Sequence, residues 1–431
     1  MGDWIERNLS ETIAILQSGT RPKGGVTTES GEIPSLGGEN IIQSGGVSLR
    51  GVKKVTLSFY ERMTKGHLKD GDVLINKDGA NTGKLGIFKG FNIEKACINE
   101  HLFLIRANEE VDNAFVYYFL LLEQTQQIIK NKISGSAQPG LNSGFIKNFP
   151  FKFPENKKEQ STIVIILTTI DQAIEKTEQV IAKYERIKIG LMQDLLTRGI
   201  DEERNIRSEE THEFKDSPLG RIPKEWQVVD FGQYVELVHG YQFRNYDFTD
   251  AGIPIVKISQ VTENGLDISS CSFINRNRLG DFEKQVIHNG DVLMALTGAT
   301  LGKACFVSGL SIPVLQNYRV GRFEPLNSEE VDKTYLYYTL TTKEFLNQIF
   351  SKVNTGAQGN IGKADFVKAK FKLPSFQEQQ KIGQLLNGIQ KLIEEESLNL
   401  EKNKILKTGI MQDLLTGKVR VDALMNQNSI S

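Results

Sequence analysis

The sequence predicts an α/β (α+β) fold built as an internal duplication: two pseudo-repeated mixed α/β domains joined by two long antiparallel coiled-coil helices, the halves related by a pseudo-twofold. Three observations predict it. Gly71-Asp-Val-Leu74 returns as Gly290-Asp-Val-Leu293, an offset of 219 residues, and Gly190-Leu-Met-Gln-Asp-Leu-Leu-Thr197 returns at the same offset as Gly409-Ile-Met-Gln-Asp-Leu-Leu-Thr416. Each copy opens with short Val/Ile/Phe-rich runs broken by Gly, Asn and Asp, which read as strands and turns. Each closes on a long seam of positions stepping by three and four residues.

The first globular domain covers 1–155. Its run Gly71-Asp-Val-Leu-Ile-Asn76 reads as a strand, and Val116-Tyr-Tyr-Phe-Leu-Leu-Leu-Glu-Gln124 carries apolar residues at helical spacing. A long spacer helix follows at 156–198, preceded by Pro154, with Glu159-Gln160 in its first turn, where an acidic group suits the helix dipole. Its seam runs Ile163, Ile166, Ile170, Ala173, Thr177, Val180, Tyr184, Ile187 and Leu191. A connector at 199–225 holds 8 acidic and 5 basic residues. The second globular domain covers 226–374, with Ile312-Pro-Val-Leu-Gln316 as a strand and Leu336-Tyr-Tyr-Thr-Leu340 as the helical counterpart. The second spacer helix, 375–417, follows Pro374, opens on Glu378-Gln379 and carries Ile382, Leu385, Ile389, Leu392, Glu396, Asn399, Asn403, Leu406 and Ile410, a seam that is polar in its middle. A tail, 418–431, ends the chain. Packing of each helix on its own domain is the plainer alternative, but a seam kept over nine steps in both copies favours a mutual coiled coil. Helices of roughly 34 residues make a rod of ~50 Å.

Composition sets the limits. A length of 431 residues is about three times the ~150-residue domain prior, and the hydrophobic (39%) and charged (24%) fractions exclude a disordered, collagen-like or supercharged chain. No apolar run approaches the ~20 residues that cross a bilayer, and the start lacks a signal-peptide pattern, so a cytoplasmic protein without membrane contact is expected. Cys97, Cys271 and Cys305 are dispersed, and His67, His101, His212, His239 and His288 form no close pair, so no metal site is expected.

Two globular domains, each followed by a long helix ending in Met-Gln-Asp-Leu-Leu-Thr, resemble the specificity (S) subunit of type I restriction-modification systems over essentially the whole chain. His212-Glu-Phe-Lys-Asp-Ser-Pro-Leu-Gly-Arg-Ile-Pro-Lys-Glu-Trp226 looks like that family's lead into its second target-recognition domain. The N-terminal copy begins almost at its tryptophan, Trp4, without this lead, so the segment after Thr416 would have to complete the pseudo-cyclic arrangement that the resemblance implies. The resemblance implies a non-catalytic, DNA-binding subunit. Each target-recognition domain would read half of a bipartite double-stranded DNA site, and the helices would set the spacer and dock two modification (methyltransferase) subunits. Restriction (translocase/nuclease) subunits would join. No cofactor is expected in this chain, whereas S-adenosylmethionine and ATP are expected on the partner subunits. At 34 to 36 Å per turn of B-DNA, a ~50 Å rod spaces half-site centres by roughly one to one and a half turns.

Candidate DNA contacts follow from matched and unmatched positions. The loop Lys77-Asp-Gly-Ala-Asn-Thr-Gly-Lys84 and its copy Leu296-Thr-Gly-Ala-Thr-Leu-Gly-Lys303 are not Walker A loops, because three residues separate the glycines and no Ser or Thr follows the lysine. They suit phosphate contact through Lys77, Lys84 and Lys303, with hydrogen bonds from Asn81, Thr82, Thr297 and Thr300; a hairpin turn presenting a solvated lysine suits them equally. Base readers should differ between the copies, which singles out Arg21 and Lys23 after Gly19, against Tyr241, Gln242 and Arg244 after Gly240. A solvated surface charge is the alternative there. Gln138 and Gln358, in matched glycine-rich loops, read better as loop-stabilising amides. Lys368, Lys370 and Lys372, taken as a strand, share one face and suit phosphate, or the gatekeeping of an edge strand.

Charge sets a condition on binding. Lys and Arg against Asp and Glu stand at 18 to 17 over residues 1–155 and 15 to 15 over 226–374, and the chain's net charge is −1. Weak non-specific affinity is expected of the isolated chain, with tight binding needing partner subunits around the DNA. No catalytic constellation survives inspection: Asn148-Phe-Pro-Phe151 misses a methyltransferase motif by one proline, and Gly-x-Gly occurs nowhere. The rival readings are a duplicated protein-interaction scaffold and the recognition half of a fused restriction-modification nuclease.

Overall fold

The computed structural model describes residues 3–42, 45–90, 92–134, 139–351 and 360–421. They form two compact units, one made of the described residues of 3–178 and 398–421, the other of those of 179–397.

In the first unit a four-stranded antiparallel sheet has the order Ile13–Ser18, Leu102–Ala107, Val73–Asn76, Leu85–Ile87. The predicted Val-Leu-Ile strand lies inside it with every residue buried, which explains its unbroken apolar run. Beside it Ile33–Leu36 pairs antiparallel with Lys53–Val55 and parallel with Cys97–Ile98. Helix Asn113–Leu121 covers the sheet; Asp112 caps it by accepting from the Ala114 amide at 2.7 Å. Trp4–Asn8 pairs with Pro150–Pro154, burying Phe151 and Phe153 in the core.

The second unit repeats the plan. Its four-stranded sheet has the order Val235–His239, Val320–Pro325, Val292–Ala295, Ala304–Phe306, and Asp332 caps helix Lys333–Thr341 as Asp112 does its counterpart. A five-stranded sheet, with Ile253–Val256 parallel to Val314–Gln316, stands where the first unit has three strands. Gln227–Asp230 pairs with Lys370–Leu373.

The long helices span Lys157–Leu195 and Phe376–Leu415, 39 and 40 residues. In the first unit Asp171 pairs with Lys407 at 2.5 Å and Glu178 with Lys404 at 3.7 Å; in the second Lys188 Nζ donates to Gln390 Oε1 at 2.6 Å. Rising numbers meet falling ones, so the helix segments run antiparallel within the first unit; in the second, Leu195 shares a core with Ile382 in the same sense.

The seam departs from the sequence expectation in phase. Ile163, Ile170, Tyr184 and Leu191, with Ile382, Ile389 and Ile410, lie wholly or partly buried. Between them, however, Leu167 and Leu386 are fully buried while Ile166 is half-buried and Leu385 exposed, and Lys407 faces Asp171 while Leu406 points outward. The steps therefore run four then three. Adjacent apolar pairs, Ile166-Leu167 and Leu385-Leu386, leave the phase open locally; the cores beneath, which take Leu167 and Leu386, decide it.

Glu159 and Glu378 lie in the first turns of the two long helices, as expected. Both are buried, and each carboxylate also holds an arginine and a tryptophan. Arg207 donates to Glu378 at 2.5 and 3.2 Å and the Trp226 indole at 3.0 Å; Arg420 donates to Glu159 at 2.6 and 2.7 Å and the Trp4 indole at 3.4 Å. Gln160 and Gln379, next in sequence, are fully buried and repeat three hydrogen bonds each: to the Asp112 amide and the Glu110 and Pro154 carbonyls, and to the Asp332 amide and the Glu330 and Pro374 carbonyls. Val421 is buried in the first unit's core. The segment after Thr416 thus does close the first unit, as the connector closes the second.

Candidate nucleic-acid interface

The matched glycine loops are one turn built twice. In the first unit Asn76 N donates to Lys84 O, Gly83 N to Asn76 O, Lys84 N to Asn81 O and Thr82 N to Gly79 O, at 2.8 to 3.1 Å; in the second the same four bonds join Ala295, Lys303, Gly302, Thr300, Leu301 and Gly298, at 2.8 to 3.1 Å. Gly79 and Gly298 have φ of 77° and 78°, Gly83 and Gly302 of 90° and 82°, a left-handed backbone that glycine adopts freely. Fold geometry therefore accounts for the glycines. Among the side chains, Thr82 Oγ1 is held by Gly79 O at 2.6 Å, Thr300 Oγ1 by Ile258 O at 3.2 Å, Thr297 is buried, and the Lys77 ammonium sits 5.4 Å over the Phe103 ring. Asn81 and Lys303 are exposed and Lys84 is half-exposed, which leaves these three to face a ligand.

A second matched turn packs against this loop. Asn99 N donates to Leu36 O at 2.8 Å and Asn317 N to Val256 O at 3.0 Å; each side-chain Oδ1 then accepts from the amide two residues on, His101 at 2.9 Å and Arg319 at 3.3 Å. The carbonyls of His101 and Arg319 accept from Lys77 N and Leu296 N, both at 2.9 Å, joining the two turns. Gly19 and Gly240 cross over it, and a Cβ there would lie 1.8 Å from Ile98 O or 2.2 Å from Gln316 O, so neither tolerates a side chain.

The divergent candidates border this turn. Arg21 Nε pairs with Glu100 Oε1 at 2.7 Å, and His101 Nδ1 lies 2.7 Å from Asp78 Oδ1. In the second unit Tyr241, exposed at its rim, packs edge-on against Phe243 at 5.1 Å and tilted against Phe282 at 4.9 Å, and its main chain brackets Gln316 and Tyr318. Gln242 and Arg244 are exposed and touch at 3.4 Å. Arg278 and the Arg244 amide hold Asp247 beneath them, keeping its carboxyl below the usual range. Lys23 is exposed. Gln138 and Gln358 lie outside the described residues.

The lysine stripe is corrected. Lys368 ends the helix Lys363–Val367 and is not in a strand; Lys370 pairs with Asp230 at 2.9 Å; Lys372 is buried against Glu344 at 2.8 Å. Ion pairing inside the fold accounts for Lys370 and Lys372, whereas Lys368 is exposed.

Sequence reasoning passed over Glu100, His101, Tyr318 and Arg319. Their turn recurs at an offset of 218, Asn99 to Asn317, so alignment at 219 sets Asn99 against Tyr318 and hides the match. Among the described residues no group of three His, Cys, Asp or Glu side chains could hold a metal ion, and no helix is long and apolar enough to cross a membrane.

The specificity subunit of the type I restriction enzyme MjaVIII from Methanocaldococcus jannaschii is 28% identical over 361 residues, 83% of this chain and 81% of that one. The S subunit of the type I restriction-modification system from M. genitalium has the same fold, with a TM-score of 0.63 and 16% identity over 96% of each chain. A chain from a type I R-M system structure concerned with complex assembly and conformational transition aligns with a TM-score of 0.52 and 17% identity over 96% of this chain and 97% of that one. The model of the type I restriction modification DNA specificity domain matches residues 1–186 and again 223–403, so the chain belongs to that family and is a specificity subunit with two recognition domains.

Proposed function

We propose that each unit reads one half of a bipartite double-stranded DNA site and that the paired long helices set the gap and dock two modification subunits. One observation carries this reading: the two units hold the same pair of joined turns on the same backbone bonds, yet present different side chains, Glu100 and His101 against Tyr318 and Arg319. Two different readers on one frame suit an asymmetric split site, as a symmetric dimer suits a palindrome. Helices of 39 and 40 residues are ~60 Å long, enough to hold a gap as a length rather than a sequence.

In this reading the chain supplies the address in a cytoplasmic complex. Methyl transfer from S-adenosylmethionine belongs to the modification subunits, and ATP-driven translocation and cleavage to restriction subunits. Near-neutral domains neutralise few phosphates, which supports binding that tightens when partner subunits surround the duplex.

The test is purification of the chain with its modification subunit and mapping of methylated bases on genomic DNA. The expected result is methylation confined to one bipartite motif, with one half changed when one unit is replaced. Methylation without a motif, or no complex, refutes the reading and favours a protein-interaction scaffold; metal-dependent cleavage by the lone chain favours a nuclease.

A further inference from the structure

We propose that the dipeptide following the shared asparagine, Glu100-His101 in the first unit and Tyr318-Arg319 in the second, reads bases directly: Glu100 accepts from the exocyclic amino group of a cytosine, and Arg319 donates to a guanine. This rests on the reading above that each unit reads a half-site.

The frame comes first. The Asn amide bond to Leu36 or Val256, the Asn side-chain bond to His101 or Arg319, and the bond from Lys77 or Leu296 fix the turn in both units. None of them uses a side chain of the dipeptide. The backbone is thus held constant while the two side chains are free to differ, which is what a reader of changing sequence requires.

The side chains then change in charge and chemistry. Phosphates flank both half-sites alike, so a residue that only positions the backbone should keep its sign between units, as Lys84 and Lys303 do. At the turn a carboxylate and an imidazole give way to a phenol and a guanidinium. A change of this kind, acid to phenol at one matched position and imidazole to guanidinium at the next, fits different base edges and does not fit a shared phosphate.

Each side chain is also poised. Glu100 spends Oε1 on Arg21, at 2.7 Å, whereas its Oε2 is shielded from solvent and accepts no hydrogen bond from the described residues. A carboxylate oxygen without a donor is costly, and a base that displaces the side chains now covering it would supply the cytosine N4 amino group as that donor. In the second unit Arg319 is exposed, with no carboxylate partner among the described residues; its guanidinium lies 5.3 Å over the Tyr318 ring and its Nε donates to the Tyr318 hydroxyl at 2.7 Å. Stacking holds the planar fork in place while its terminal nitrogens remain to meet guanine O6 and N7.

The experiment uses the complex with the modification subunit and a panel of duplexes, each differing from the methylated motif by one base pair. Arg319→Ala should abolish discrimination at one G·C pair of one half-site, from roughly 5- to 150-fold down to within about twofold, leaving the other half-site unchanged. Arg319→Met, which keeps most of the stem but has no donor for O6 or N7, should behave as the alanine variant does and serves if that variant fails to assemble. Glu100→Gln should relax one pair in the opposite half-site only. Rates that fall by one factor across the whole panel, or a panel unchanged in both units, overturn the proposal, as does full discrimination by Arg319→Met. If the wild-type complex shows no bipartite motif, it is the reading of the two units as half-site readers that has failed.

Discussion

Glu159 accepts two hydrogen bonds from Arg420, 261 residues away in sequence, at 2.6 and 2.7 Å. Glu378 receives Arg207 in the same way in the second unit. The arginine stands ten residues past Thr197 in one case and four past Thr416 in the other, so the closure is kept although its spacing is not.

Arg420→Met should therefore destabilise the first unit by about 3 kcal/mol, the lower end for a broken buried pair because the guanidinium is partly exposed. Urea unfolding read at Trp4 checks it. An unchanged midpoint would mean that the pair contributes nothing beyond its packing.

The phase of the helix seam separates two neighbouring leucines. Leu386→Ala should cost about 2 to 5 kcal/mol and Leu385→Ala no more than about 0.5 kcal/mol. Equal losses in thermal unfolding would restore the phase read from the sequence.

Burial pushes the Cys97 and Cys271 thiols up to about 11 and that of Cys305 up to about 12, from an ordinary value of 9.0. The folded state favours the neutral thiol. Its stabilising share is complete below pH 9 and is lost as the pH rises through 11 to 12. Folded protein at pH 8 should release fewer than one of its three thiols to a disulfide reagent within minutes, and all three in denaturant.

Lys303→Ala should lower the salt slope of DNA binding by about 0.9 and leave the recognised motif intact, with Lys84→Ala doing the same in the other unit. Affinity titrations of the assembled complex at several salt concentrations measure it. An unchanged slope returns both lysines to solvent.

The duplication, its strands and its long helices were legible because repeats and apolar periodicity are local patterns. The arginines that pair with Glu159 and Glu378 were not legible because Arg420 and Arg207 are remote from them in sequence. Lys372 looked like surface charge for the same reason, its Glu344 lying on another element. The turn at Asn99 and Asn317 escaped because a one-residue slip costs nothing in a loop, while the hydrogen bonds that prove the match exist only in three dimensions.

The closure of the first unit by residues 398–421 bears on the order of synthesis. The second unit is continuous and has all its residues once position 397 has been made. The first, though begun earliest, waits for Met411, Leu414, Leu415 and Val421, a delay of roughly 15 to 50 s after residue 155 at ribosomal speed. During that interval Trp4, Ile163 and Leu167 lack their final neighbours. The half of the protein born first is the half that matures last, and an emerging chain completes its second recognition domain before its first.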